Sequence, residues 1–246
     1  MRQGKERGQG LALSTPTAGL LVKPPESFDF FAASYRCCYP LFRARPAELA
    51  MSELVATPSL KEFFKALLLQ VTAQQHVELA DVTEFYVVNL LAEFAASEKL
   101  FTRSEDGRKE VEPLAILYHR ALQQQREEKI RTLRRLGDVS LYRAGFFSGS
   151  LRQTITGPDY YIQMGGSAYR QVAALAQGAF AVVYQELWQK FRPLVEVLEE
   201  MAARGMACRP SGTLQVYETW LRTKSDRLER ILVDVGLVVP LKGLPN

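Results

Sequence analysis

Residues 158–169 read PDYYIQMGGSAY, three tyrosines and a paired glycine within twelve residues. Read as a loop, this stretch offers a ligand site; read as helix, it joins its neighbours into a chain that is helical throughout. Pro158, directly after Gly157, suits the first turn of a helix, where a missing backbone N–H costs nothing. The helix then runs to about Gly178, with Tyr161, Gly165, Ala168 and Tyr169 on one face. Two adjacent helical glycines cost about 2 kcal/mol relative to alanines, so a compensating contact is expected. Three fit: a neighbouring helix approaching closely, with Ser167 and Ala168 widening the small face; a kink; or a pocket where a ligand meets the backbone. The pocket reading frames a groove with Tyr160, Tyr161 and Tyr169, floors it with Gly165 and Gly166, and takes Asp138 as a polar anchor. Asp159 is either a second anchor or a favourable charge at a helix N-terminus.

Helical periodicity continues on both sides. Ser59 and Glu62 are spaced as a capping box ahead of Leu60, Phe63, Phe64, Leu67, Leu68 and Val71, which predicts a helix to about Glu78. Asp81 and Glu84 repeat the signature before Val82, Phe85, Val88, Leu91, Ala92 and Ala95, a second helix ending near Leu100. TRSEDGRKE at 102–110 reads as a polar loop turning at Asp106-Gly107. Pro113 opens a helix that passes through Leu117 and Ala121 and continues in REEKIRTLRRLG towards Phe147. LRQTI at 151–155 is a candidate short extended piece. From Phe180 to Arg204 another helix is expected, kinked by Pro193. Leu187, Phe191, Leu194, Leu198 and Met201 recur at spacings of four and three, as do Leu214, Tyr217, Leu221, Lys224, Leu228, Ile231 and Val235. Joined by GMACRPSG, these seams predict an antiparallel helical hairpin within 180–236. The class is all-α, a single bundle of about seven to nine helices over 27–240, with a disordered N-terminal arm at 1–26 and a tail at 241–246. Short helices at about 28–38 and 46–55 begin it, the first in a stretch dense in aromatic residues.

The chain has 246 residues, 47% of them hydrophobic and 24% charged, which is the composition of an ordered globular chain. A net charge of +4 is too small and too dispersed for a dedicated nucleic-acid binder. Cys37, Cys38 and Cys208 form no disulfide framework by count or spacing, which fits a reducing cytoplasm. The basic, mildly apolar N-terminus resembles a secretory signal only superficially, because Ser14, Thr15, Pro16 and Thr17 interrupt it. No apolar run is long enough to span a bilayer.

Tests for specific chemistries narrow the field. His76 and His119 are the only histidines, and neither follows glutamate at the spacing of a di-iron bundle. Tetrahedral zinc lacks its clustered ligands, and no metal site is expected. Haem held by His119 is an alternative that helical bundles permit, against the plainer reading of a partly exposed side chain on an amphipathic helix. FFSGSL at 146–151 lacks the Gly-x-Ser-x-Gly elbow, so no catalytic residue is assigned. Arg126, Lys129, Arg131, Arg134 and Arg135 form a candidate basic face, diluted by Glu127 and Glu128, so nucleic acid is an unlikely ligand.

LRRLGDVSLYRAGFFSGSL followed by DYYIQMGGSAY, together within residues 133–169, resembles a family of uncharacterised bacterial all-helical proteins that share an LGD…GFF…YYxxMGGxAY pattern. The resemblance implies a bacterial, cytoplasmic setting and carries no activity with it. The leading expectation is a non-enzymatic protein that binds a protein partner as an inhibitor, escort or regulatory subunit, or that self-associates. The alternative is a small-molecule-binding helical protein with its pocket at the paired glycines.

Overall fold

The computed structural model describes residues 59–96, 102–103, 109–110, 112–208 and 210–237. The expected arm, the helices at 28–38 and 46–55, Cys37, Cys38 and the tail lie outside them. Among the described residues the fold is all-helical: α1 Leu60–Gln75, α2 Asp81–Ala96, α3 Leu114–Gln123, α4 Arg126–Phe146, α5 Ser148–Leu151, α6 Gly157–Leu175, α7 Ala179–Gln189, α8 Phe191–Ala207, α9 Pro210–Thr223 and α10 Asp226–Asp234. Six of the expected helices fall within these residues; three of them are each broken in two and the short α5 is additional, which gives ten. The polar loop after α2 carries a two-residue antiparallel pair, β1 Thr102–Arg103 with β2 Lys109–Glu110. Residues 151–155 form no extended piece; Leu151 closes α5 and turns follow it.

The capping box on α1 forms as the sequence predicts. Ser59 Oγ accepts the Glu62 N–H at 3.3 Å, and Glu62 Oε2 accepts the Ser59 N–H at 2.6 Å. His76, in the left-handed region at φ 54°, ends the helix. On α2 the expected face is rotated: Val82 and Phe85 are exposed, while Thr83, Val87, Leu90 and Phe94 join Val88 and Leu91 inside. Its start differs too. Ala80 accepts the first helical N–H groups, and its own N–H is taken at 3.2 Å by Glu186 Oε1 from α7.

The helix expected from Pro113 to Phe147 divides at Gln124 and Gln125, both extended. The Gln124 carboxamide accepts from the Thr132 hydroxyl at 2.6 Å, which fixes the break. The helix expected from Phe180 breaks at Lys190 rather than bending at Pro193. Pro193 lies in the first turn of α8, where the intrahelical ladder needs no N–H from it.

α4 and α6 form the central pair, with α8 across α4, α7 across α6, and the α1–α2 hairpin against α8 and α7. Leu133, Leu136, Leu141, Tyr169, Leu187, Leu194, Leu198 and Met201 fill the main core. The predicted terminal hairpin is a three-helix corner instead. Lys224, at φ 51°, separates α9 from α10, and the apolar seam is out of register: Leu214 and Leu221 face outwards while Val216 and Trp220 are buried. With Ala207, Ile231 and Leu232 these two make a small second core. Gly212 allows that corner to close, because a side chain there would strike the Met206 carbonyl.

Candidate functional site

The paired glycines lie within α6, on a buried face with Tyr161, Ala168, Tyr169 and Val172. A Cβ on Gly165 would collide with the Phe191 ring and stand 2.6 Å from Ser140 Cβ, so α4 and α8 occupy the space that the pocket reading leaves for a ligand. A Cβ on Gly166 would meet nothing closer than 3.9 Å. Only the first glycine of the pair is sterically required. On α4, a Cβ on Gly137 would stand 2.5 Å from the Tyr169 ring, and one on Gly145 would strike Leu198. Small residues on both helices therefore bring the two backbones together.

That close approach builds a polar cluster at the junction of four helices. Asp138 is half-buried on α4. Its Oδ1 accepts the Tyr86 hydroxyl from α2 at 2.6 Å and the Tyr169 hydroxyl from α6 at 2.7 Å. Tyr184 on α7 completes the ring set, 5.6 Å from Tyr86 and 5.8 Å from Tyr169 between centroids. Burial pushes the Asp138 carboxyl up to about 6, against the pull of the two hydroxyls and of Arg134. Burial likewise raises the Tyr86, Tyr169 and Tyr184 hydroxyls, so they stay protonated as donors.

Of the sequence candidates, Asp138 and Tyr169 meet directly. Tyr161 lies a turn or two away under the Arg143 guanidinium, 5.0 Å from its ring centroid, with Tyr160 edge-on to it. Asp159 pairs with Arg192 at 3.1 Å on the surface. The basic face is divided. Arg126 donates to the Leu175 carbonyl at 2.8 Å, and Arg134 is close enough to influence the Asp138 cluster. Lys129 and Arg135 are half-buried, and Arg131 is exposed. His119 is exposed on α3, 3.5 Å from the Gln123 side chain. Among the described residues no group of three or more His, Cys, Asp or Glu could hold a metal ion. Cys208 is disulfide-bonded, where the sequence reading expects no disulfide framework and a reducing setting.

The sequence reading missed Tyr86 and Tyr184, which no spacing rule connects to Asp138. It also missed a second buried cluster for which a signal exists, since Glu200 and Arg204 are four apart. Glu200 is fully buried, and its Oε1 accepts from Arg204 at 3.0 Å. Arg204 also reaches Asp234 on α10 at 2.9 Å and Gln74 on α1 at 2.8 Å. A groove of about 370 Å³ beside them is lined by Gln70, Gln74, Arg204 and Asp234. Neither Asp138 nor the paired glycines line it. No protein-family model, curated protein or solved structure matches the chain.

Proposed function

We infer that the protein is a non-enzymatic interaction protein that binds a protein partner, as an inhibitor, escort or regulatory subunit. The supporting observations are exposed apolar side chains on α2 and on α7, two helices that pack on each other. Phe85 is 70% exposed with Val82 one turn before it, and α7 shows Phe180, 66% exposed, and Val182. Exposed aromatic side chains of this size are what a partner buries as anchors. Glu78 and Asp81 are exposed at the start of α2, and Glu84 next to Phe85 in sequence is half-buried. The fitting partner therefore presents apolar side chains flanked by basic ones.

The test is affinity purification from the native cell with the wild type and with Phe85→Asp. A stoichiometric partner held by the wild type and lost by a folded variant supports the reading. Recovery of no such partner, or of a second copy of this chain alone, overturns it. A cytoplasmic setting is part of the same reading. No described helix is long and apolar enough to cross a membrane. A reducing cytoplasm keeps cysteines as thiols, whereas Cys208 is disulfide-bonded in the structure, so alkylation in intact cells tests the setting: labelling of Cys208 supports a cytoplasmic location. Its recovery as a disulfide would overturn that setting.

A further inference from the structure

Glu200 and Arg204, one turn apart on α8, form a buried pair that reaches both α1 and α10. Towards α1 the contacts are neutral: Gln75 donates to Glu200 Oε2 at 2.7 Å, and Gln74 Oε1 accepts from Arg204 at 2.8 Å. Towards α10 they are charged. Arg204 donates to Asp234 at 2.9 Å, and the Arg227 guanidinium lies 3.6 to 3.8 Å from the carboxylates of Glu196, Glu199 and Glu200. Arg227 also donates to the Glu196 backbone carbonyl at 3.3 Å. Taking α10 away therefore strands no charge in the interior. Glu200 and Arg204 keep each other, both glutamines keep their hold from α1, and Arg227 and Asp234, already 28% and 53% exposed, pass into water.

The packing of the corner agrees. Among the described residues α9 and α10 pack chiefly on α8 and on each other, around a core of Ala207, Val216, Trp220, Ile231 and Leu232 that is separate from the main one. Trp220 Nε1 is buried there with no hydrogen-bond acceptor among the described residues, a cost that opening relieves. A small apolar core and part-solvated fastenings mark a segment that opens below the free energy of global unfolding.

We propose that α9 and α10 form a flap, fastened to α8 by charge, which lifts as one unit while the other helices stay folded. The groove of about 370 Å³ lined by Gln70 and Gln74 of α1 and by Ile231 and Asp234 of α10 is its open edge. Lifting uncovers Glu200 and Arg204 at that edge. The flap is independent of whatever binds the Phe85 surface.

The experiment is native-state hydrogen exchange on the full chain, comparing α9 and α10 amides with those of α4 and α6 in wild type and Arg227→Met. In wild type the α9 and α10 amides should share one opening and be protected roughly tenfold less, or weaker still, than those of α4 and α6. Arg227→Met should lower their protection by a further factor of about five and leave α4 and α6 unchanged. Raising sodium chloride from about 0.05 M to about 1 M should act on wild type in the same direction, because screening reaches the part-exposed Arg227 contacts. Equal protection of the two regions in wild type overturns the proposal, since the corner would then open only with the whole bundle. Unchanged α9 and α10 protection in Arg227→Met overturns it too, because packing rather than charge would then hold the flap. Should Arg227→Met not fold, the salt series on wild type carries the test, and a loss shared equally by α4 and α6 overturns the proposal.

Discussion

The molecule buries carboxylates in two regions and partners them differently. In the C-terminal region Glu200 is matched by Arg204, and Arg204 in turn by Asp234 and Gln74, so charge meets charge and three helices are tied together. At the α4–α6 crossing Asp138 is matched by two tyrosine hydroxyls. The first arrangement fixes a geometry at a desolvation cost that its ion pairs offset. The second meets its charge with neutral donors held by close packing, so the crossing depends on fit and the C-terminal corner on keeping each charge matched.

The largest effect should therefore come from breaking the ion pair. Arg204→Met leaves Glu200 at the centre of α8 without its principal cation and should cost about 3–5 kcal/mol, read as a fall in the urea midpoint at unchanged slope. Pairing it with Glu200→Leu removes the stranded charge and should recover most of the loss. A double variant as unstable as the single one would show that the pair matters through packing rather than through charge.

The crossing is sensitive first to volume. Gly165→Ala pushes a methyl into Phe191 and Ser140, both on rigid helices, and should destabilise by about 1–3 kcal/mol. Thermal unfolding measures this directly. Full stability in Gly165→Ala would mean that α8 has room to retreat, and the crossing would then be a looser contact than its geometry indicates.

How far these regions were readable beforehand depends on whether their signals are local. The Ser59–Glu62 box, Pro158 at a helix start and the small face of α6 are written in spacings of three and four, and the fold follows them. The breaks at Gln124 and Lys190 are not so written, because QQQ and QKF carry no helix-breaking residue ahead of the proline. They arise because segments on either side must turn to face one core. The seam on α9 differs from the expectation by one position for a related reason: Tyr217 and Leu221 have the spacing of a core face, but the turn at Lys224 and the contact of Gly212 with Met206 rotate α9 to bury Val216 and Trp220 instead. Asp138 and Tyr169 could be singled out from the motif; Tyr86, 52 residues before Asp138 in sequence, becomes its partner only through the seating of α2.

The smallest effect separates the two members of the glycine pair. Both interrupt a helix and both are buried, so sequence alone treats them alike. Their surroundings do not: a methyl at 165 is excluded, whereas one at 166 would make ordinary contact with Phe191 and Trp188 at 3.9–4.0 Å. Gly166→Ala should therefore gain helix propensity without a clash and stabilise the protein by up to about 1 kcal/mol. The opposite signs expected at neighbouring positions rule out a general intolerance of substitution in α6 as the explanation. If Gly166→Ala instead lowers the melting temperature, the helix needs the freedom of a second glycine, and the kink reading of the pair gains over close packing. If it raises the melting temperature but abolishes partner binding, Gly166 is kept for function at a cost in stability, and the interaction surface extends from α2 and α7 to α6.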